Sequence, residues 1–234
     1  QAALTPDTIT NRDLTLNAQS AGGYRLLAGF TVPAGRTLTV EPGVKVHVGN
    51  NDGAYPLLVQ GRLEAVGAAA QPIVFTSQTD SGAAYADWSG ITFDGGAGTL
   101  RHVIVRYTGD ECYGCGLYQA APIHARNVLT GAVTIESSQI ISASRPSHAQ
   151  WGIWIENSHV VVSDTLISDL GAEPANAPVY FSGNVRAATL IGNRFQVAPR
   201  NRIVFAPQAT LVEDMTWQPQ AAYQGYELDN ADFI

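Results

Sequence analysis

The feature that most constrains the fold is a pattern of short apolar segments that recurs every 27 or 28 residues. A second apolar group follows each segment, and these second groups are 27 residues apart from Val133 to Val160 and 28 apart from Val160 to Ala188. A period in this range indicates units that cannot bury their own apolar faces and therefore stack on their neighbours. The aligned segments are 123–127, 153–157 and 179–184.

Within each repeat, apolar and polar residues alternate. Residues 44–48, for example, read Val-Lys-Val-His-Val. Residues i and i+2 of a strand share a face, so each run offers one apolar face. The dipeptides that favour two-residue hairpins are confined to Asp52-Gly53 and Asp94-Gly95. The pattern predicts an all-β chain of short strands coiled as a parallel β-helix.

The alignment also predicts an asparagine ladder at one corner of the coil. Asn127, Asn157 and Asn184 occupy this corner, and Gly95 occupies it one turn earlier. Asparagine tolerates a left-handed φ and can hydrogen-bond its counterpart in the next turn. The alternative is that asparagine is simply common in loops.

Four stretches resemble the opening coils of right-handed parallel β-helix repeat proteins of the bacterial cell-surface and secreted type. They are LTVEPGVKVHV (38–48), LLVQGRLEAVGAAAQPIVFTS (57–77), WSGITF (88–93) and LRHVIVRYTG (100–109). The resemblance covers about residues 30–109. It implies a single-stranded, right-handed solenoid that is secreted or displayed on a cell surface. It implies no particular activity, because one fold hosts many functions.

We expect one domain over residues 1–234, with an N-terminal cap (1–30), coils (31–207) and a C-terminal cap or tail (208–234). An uncovered solenoid end exposes strand edges and invites aggregation. The aromatic, acidic tail either covers the last coil or reaches a neighbouring copy, which would allow end-to-end self-association.

The composition argues against two classes of partner. The net charge is −7 without a basic run, which argues against nucleic acid. No apolar stretch approaches the roughly 20 residues of a membrane span.

The two cysteines lie in the segment GDECYGCG, and we expect a Cys112–Cys115 disulfide in an oxidising compartment. A redox motif would instead open a helix beside a β-α-β unit. A zinc site would need two further ligands, and the spacing of His102 and His124 does not support them. We expect neither a metal nor a cofactor.

Four long segments, 79–88, 108–122, 142–151 and 171–178, each precede a strand of the same type. In a stacked coil they lie on one edge, and insertions in repeat proteins often form the binding face. Alternatively, Trp88 and Trp151 lead into strands and cover the core. The partner-binding residues predicted on this edge are Tyr85, Tyr113, Tyr118, His148 and Trp151.

A second candidate surface lies on the adjoining strand face. Asp94, Arg126 and Glu156 each stand one residue before the corner, and His124 and Trp154 lie two residues earlier on the same face as Arg126 and Glu156. This row is either a substrate groove or a solvated charge ladder whose exposed pairs each contribute only ~0–1 kcal/mol. The pattern favours the ladder.

Several β-helix proteins are pectate lyases or polygalacturonases. The polygalacturonase motifs Asn-Thr-Asp, Asp-Asp, Gly-His-Gly and Arg-Ile-Lys are absent, and Arg202-Ile203-Val204 lacks the lysine. We therefore assign no catalytic residue. The sequence favours an extracellular structural or adhesive module that binds a glycan or a surface protein. The alternative is a polysaccharide-active lyase or glycoside hydrolase.

Overall fold

The computed structural model describes residues 1–5, 7–20, 22–27, 29–49, 55–80, 88–108, 121–141, 151–171, 176–197, 201–215 and 225–228. Regular structure in this part of the chain is almost entirely β. The exception is the four-residue helix α1 (Asp7–Thr10).

Three long sheets run along the molecule, and a fourth small sheet lies near the C-terminal end. Sheet A contains β1 (Ala2–Leu4), β3 (Tyr24–Leu26), β6 (Lys45–Val48), β9 (Ile73–Ser77), β12 (Val103–Arg106), β15 (Gln139–Ile141), β18 (Leu166–Ser168) and β22 (Arg194–Gln196). Sheet B contains β2 (Leu14–Leu16), β5 (Thr37–Val40), β8 (Arg62–Val66), β11 (Ala97–Arg101), β14 (Val133–Glu136), β17 (Val160–Ser163) and β21 (Ala188–Ile191). Sheet C contains β4 (Thr31–Val32), β7 (Tyr55–Val59), β10 (Trp88–Asp94), β13 (Ile123–Arg126), β16 (Trp151–Glu156), β19 (Ala177–Ser182), β23 (Arg202–Phe205) and β25 (Gly225–Leu228). The small sheet pairs β20 (Asn184–Val185) with β24 (Thr210–Leu211).

Each coil passes from sheet C to sheet B and then to sheet A before it returns to sheet C one step along the axis. Every pairing between described strands is parallel. Val133 pairs with Val160, and Val160 pairs with Ala188, so the repeat steps read from the sequence are confirmed. The prediction of an all-β parallel β-helix is confirmed with them.

The core lies between the three sheets and consists of stacked rows of apolar side chains. One row of sheet C contains Ile91, Ile123, Ile153 and Val179, all fully buried. Burying such a side chain completely contributes about 1.5–3 kcal/mol. Each alternating run therefore presents its apolar face to the core, as the pattern predicts, because every second residue of a strand points into this interior.

The asparagine ladder forms at the corner between sheets C and B. Asn127 and Asn157 adopt left-handed φ values of 56° and 48°. The Asn157 amide donates a hydrogen bond of 3.0 Å to Oδ1 of Asn127. Gly95, with a φ of 75°, occupies the same corner one coil earlier, as predicted.

The assignment of Asn184 to this ladder is wrong. Glu156 pairs with Ser182, so the next residue, Gly183, occupies the corner with a φ of 62°. Asn184 lies one residue beyond and begins β20. The segment 179–184 is one residue longer than its counterparts, and glycine takes the left-handed conformation without a Cβ clash.

A second ladder, which the sequence analysis missed, lies buried at the corner between sheets B and A. The Ser138 backbone N–H donates to Oγ1 of Thr165 at 3.3 Å, and the Thr165 N–H donates to Oδ1 of Asn193 at 3.0 Å. These side chains satisfy backbone groups that a tight buried turn would otherwise leave unpaired.

Residues 1–30 already contribute strands to the stack. β1 pairs with β3, β2 pairs with β5, and Ile9 of α1 is fully buried in the core. The division into an N-terminal cap, coils and a C-terminal cap or tail stays a prediction. Among the described residues, no helix has the length and hydropathy that crossing a bilayer requires.

Candidate ligand-binding face

The long connecting segments of the sequence all lead into neighbouring strands of sheet C. β10, β13, β16 and β19 are adjacent in that sheet. The segments that precede them include 81–87, 109–120, 142–150 and 172–175, which lie outside the described residues. The predicted positions there are Tyr85, Tyr113, Tyr118, His148, Cys112 and Cys115, and they stay predictions.

The outer face of sheet C carries an aromatic cluster on β13, β16 and β19, formed by His124, Trp151, Trp154 and Tyr180. The rings of His124 and Trp154 stack with centroids 3.9 Å apart and planes 5° apart. Trp151 and Tyr180 stack in the same way, 3.5 Å apart. Trp151 and Trp154 meet edge to face at 5.0 Å, which joins the two stacked pairs.

Register explains how three of these residues meet. His124 pairs with Trp154, and Trp154 pairs with Tyr180, so the three form one outward row across adjacent strands. Parallel strands lie about 4.8 Å apart, which brings their outward rings within stacking distance. The Trp154 indole N–H also donates to Oγ of Ser182 at 2.7 Å, which fixes its orientation.

The cluster is separate from the main core. Trp151 packs with Ala121, Ala177 and Val204 in a small apolar group of its own. His124 and Trp151 are each about 4% exposed, whereas Trp154 and Tyr180 are half-buried. Each half-buried ring is therefore held against a buried one.

A row of charged residues runs beside the cluster. Asp94 pairs with Arg126, and Arg126 pairs with Glu156, so the predicted row is confirmed. Nη2 of Arg126 lies 2.8 Å from Oδ2 of Asp94. Nε2 of His124 lies 3.5 Å from Oε2 of Glu156, which joins the charged row to the aromatic cluster.

Burial sets the charge state of this junction. Burial lowers the pKa of His124, and the neighbouring Glu156 carboxylate, which raises this pKa, does not compensate for the burial. Contact with the imidazole in turn holds the pKa of Glu156 below its ordinary value, against the effect of its own partial burial. A neutral imidazole therefore lies beside a carboxylate. Among the described residues, neither Nε2 of His124 nor Nε of Arg126 has a hydrogen-bond partner.

This arrangement suits a ligand that is both apolar and hydrogen-bonding. Ring surfaces accept apolar C–H groups, while the imidazole, guanidinium and carboxylate groups beside them fix polar atoms. In the part of the chain that the structure describes, no three His, Cys, Asp or Glu side chains come close enough to hold a metal ion.

Three of the predicted binding residues, His124, Trp151 and Trp154, thus meet in one place. Trp88 does not join them, because it is fully buried in the main core and donates from Nε1 to the carbonyl of Arg106 at 3.2 Å. The alternative interpretation of Trp88 as a core residue is therefore the correct one. Tyr180 was missed, although the alignment of 153–157 with 179–184 already placed it opposite Trp154.

Comparison with known families shows a similarity over part of the chain. Residues 7–113 match the family described as "Pectate-lyase like beta helix domain". No curated protein and no solved structure matches the chain. The chain is a parallel β-helix repeat protein whose residues 7–113 are similar to the pectate-lyase-like β-helix domain.

Proposed function

We propose that this protein is an extracellular β-helix module that binds a glycan on the outer face of sheet C. The observation that carries the proposal is the aromatic cluster, in which Trp154 and Tyr180 are half-buried and each is backed by a buried ring. Rings already held in place lose little conformational entropy when a ligand packs on them.

The corresponding outward row of sheet B has a different character, which supports a specific role for the cluster. That row contains Thr15, Thr39, Glu64, Thr99, Thr134, Val161 and Thr189, without an aromatic residue. The outward row of sheet B is therefore built mainly from threonine, with one valine and one glutamate that pairs with Arg62. The cluster of rings on sheet C exceeds what such a face requires.

The segments that lead into sheet C extend the proposal. Tyr85, Tyr113, Tyr118 and His148 would enlarge the binding face, and a Cys112–Cys115 disulfide would stiffen the longest segment. Secretion or surface display would supply the oxidising compartment that the disulfide needs. A surface-protein partner and end-to-end self-association stay predictions.

The test is a titration of the protein with a panel of cell-wall and matrix glycans. Loss of an anchoring ring from a binding surface typically costs about 2 kcal/mol, so W154A and Y180A are each expected to weaken binding about 30-fold. Thr134→Ala, on the outward row of sheet B, is the control and leaves the affinity unchanged. A glycan that W154A and Y180A bind as tightly as the wild type would place the binding surface elsewhere.

A polysaccharide-active enzyme is the second candidate. The contact between His124 and Glu156 favours it, because a histidine and a carboxylate can exchange a proton. Asp94 lies two strands away in the same row, at a backbone spacing of about 10 Å. Release of reducing ends or of ultraviolet-absorbing unsaturated products, abolished in E156Q and D94N, would replace the binding function with this one.

A further inference from the structure

We infer that the ligand of the sheet C face is an uncharged, hydroxyl-rich glycan and not a uronate-bearing or sulfated one. This inference rests on the proposed function and specifies its ligand class. It comes from the charges on the described part of the face and from the exposed carboxylate of Glu156 beside the cluster.

The described residues of the face offer no free cation to an anionic polymer. The guanidinium of Arg126 is held 2.8 Å from the carboxylate of Asp94. Arg202, on the outward side of β23, already has a contact within the protein. Glu156 lies closest to the cluster, and its side chain is 40% exposed.

Burial lowers the pKa of His124, so at neutral pH the imidazole does not offset the charge of Glu156, which lies 3.5 Å away. The charge beside the aromatic cluster is therefore negative.

Like charges placed opposite each other disfavour association and slow the approach of a charged polymer. The exposed carboxylate of Glu156 therefore disfavours an anionic ligand beside the cluster.

The junction of His124 and Glu156 has the chemistry that a sugar hydroxyl needs. Nε2 of His124 is buried, has no hydrogen-bond partner among the described residues and lies 3.5 Å from Oε2 of Glu156. A sugar hydroxyl can donate to the carboxylate of Glu156, whose side chain is 40% exposed. A ligand carboxylate or sulfate has no proton to donate and would face the charge of Glu156 directly.

The experiment compares three classes of polymer at low ionic strength, where charge effects are largest. The neutral class is xylan, mixed-linkage β-glucan and galactan, the acidic class is polygalacturonate and alginate, and the sulfated class is dextran sulfate. The wild-type protein is expected to bind at least one neutral polymer and to bind the other two classes at least tenfold more weakly.

The charge variant E156Q separates the hydrogen bond that Glu156 offers to a neutral glycan from the repulsion that its charge exerts on an acidic polymer. Loss of a charged hydrogen-bond partner is expected to weaken neutral-glycan binding about tenfold. Removal of the negative charge is expected to strengthen binding of the acidic polymers. Glu64→Gln, which makes the same change on the outward row of sheet B, is the matched control and alters neither.

The outcomes distinguish this inference from the proposed function. Preferential binding of an acidic or sulfated polymer, lost in W154A and Y180A, would leave the glycan-binding function standing and overturn the ligand class. An E156Q variant with the same binding profile as the wild type would overturn the role of the junction. Failure to bind any of the polymers would overturn the proposed function together with the inference.

Discussion

Asn157 occupies a corner position that requires both a left-handed backbone conformation and a side chain that forms hydrogen bonds. Its φ is 48°, its amide donates to Asn127, and its Oδ1 accepts a hydrogen bond of 2.8 Å from Nε of Arg186. Leucine at this position loses both hydrogen bonds and resists the left-handed conformation. Asn157→Leu is expected to lower the free energy of unfolding by about 2–3 kcal/mol, measured by chemical denaturation.

Asn157→Gly separates the two contributions, because glycine keeps the left-handed conformation and loses only the hydrogen bonds. Its cost should be about 1 kcal/mol. If the leucine and glycine variants are both as stable as the wild type, the ladder contributes nothing to stability.

At the scale of the element, the turn after β9 ties three strands of sheet A together. The carboxylate of Asp80 lies 2.6 Å from Nζ of Lys45 on β6 and 2.6 Å from Nη2 of Arg106 on β12, and it accepts a 2.8 Å hydrogen bond from Thr76. Partial burial alone would raise the pKa of Asp80, but the hydrogen bonds from Lys45, Thr76 and Arg106 outweigh it and lower the pKa to about 2.

A carboxylate with a depressed pKa stabilises the fold above its unfolded value and loses that effect as the pH falls through its folded value. Asp80→Asn is therefore expected to cost about 1–2 kcal/mol at pH 7, since Lys45 is partly exposed and screened. The difference in melting temperature from the wild type should shrink as the pH falls from about 3.8 to about 2.

Asp164→Asn is a suitable control for Asp80→Asn. Asp164 also occupies a left-handed turn position, with a φ of 50°, and forms no ion pair within the described part of the chain. Its substitution should leave the melting temperature unchanged. A stability loss in Asp80→Asn that stays constant between pH 2 and pH 6 would contradict the ion-pair explanation.

At the scale of the whole molecule, Glu213 fastens a C-terminal segment to the stack of coils. Its carboxylate accepts hydrogen bonds from the Ala187 N–H at 3.0 Å and from Nη1 of Arg186 at 2.8 Å, and it lies 2.9 Å from Nε2 of His159. Arg186 continues this network to Asn157 in the preceding coil. A contact beyond β24 thus extends to the asparagine ladder.

The Ala187 N–H and the Arg186 guanidinium lower the pKa of Glu213 to about 2. The contact should therefore hold above about pH 4.5 and weaken as the pH falls toward 2. In Glu213→Ala at neutral pH, we expect faster amide hydrogen exchange at Ala187 and Val212, because β24 then docks less firmly. Exchange in β13 and β14 should not change.

Asp214→Ala, at the neighbouring exposed position, tests whether any loss of charge in this segment has the same effect. It should leave exchange at Ala187 unchanged. Equal acceleration in the two variants would mean that general electrostatics, and not the Glu213 contact, holds the segment.

Much of this architecture follows from the sequence because stacking makes the fold nearly one-dimensional. Each coil contacts only its neighbours, so a period of 27 or 28 residues specifies which residues pair. The pairing of Val133 with Val160 follows from that period. The inward rows of sheet C and the corner of Asn127 and Asn157, which are 30 residues apart, follow from the alignment of the repeated segments and from alternation. The Asn184 assignment failed because one added residue shifts a corner by one position, and the alignment alone does not show which residue adopts the left-handed φ.

Only the tertiary structure determined which contacts the outward side chains of the coil make. Alternation places Trp154 and Tyr180 on an outward row, but it does not determine that Trp151 stacks on Tyr180 or that His124 is buried beside Glu156. Nor does it specify that Glu213 reaches His159, 54 residues earlier in the chain. Inward side chains have one crowded volume to fill, so their pattern determines their place. Outward side chains have several open directions, and their contacts depend on rotamers and on chain segments that return from other coils.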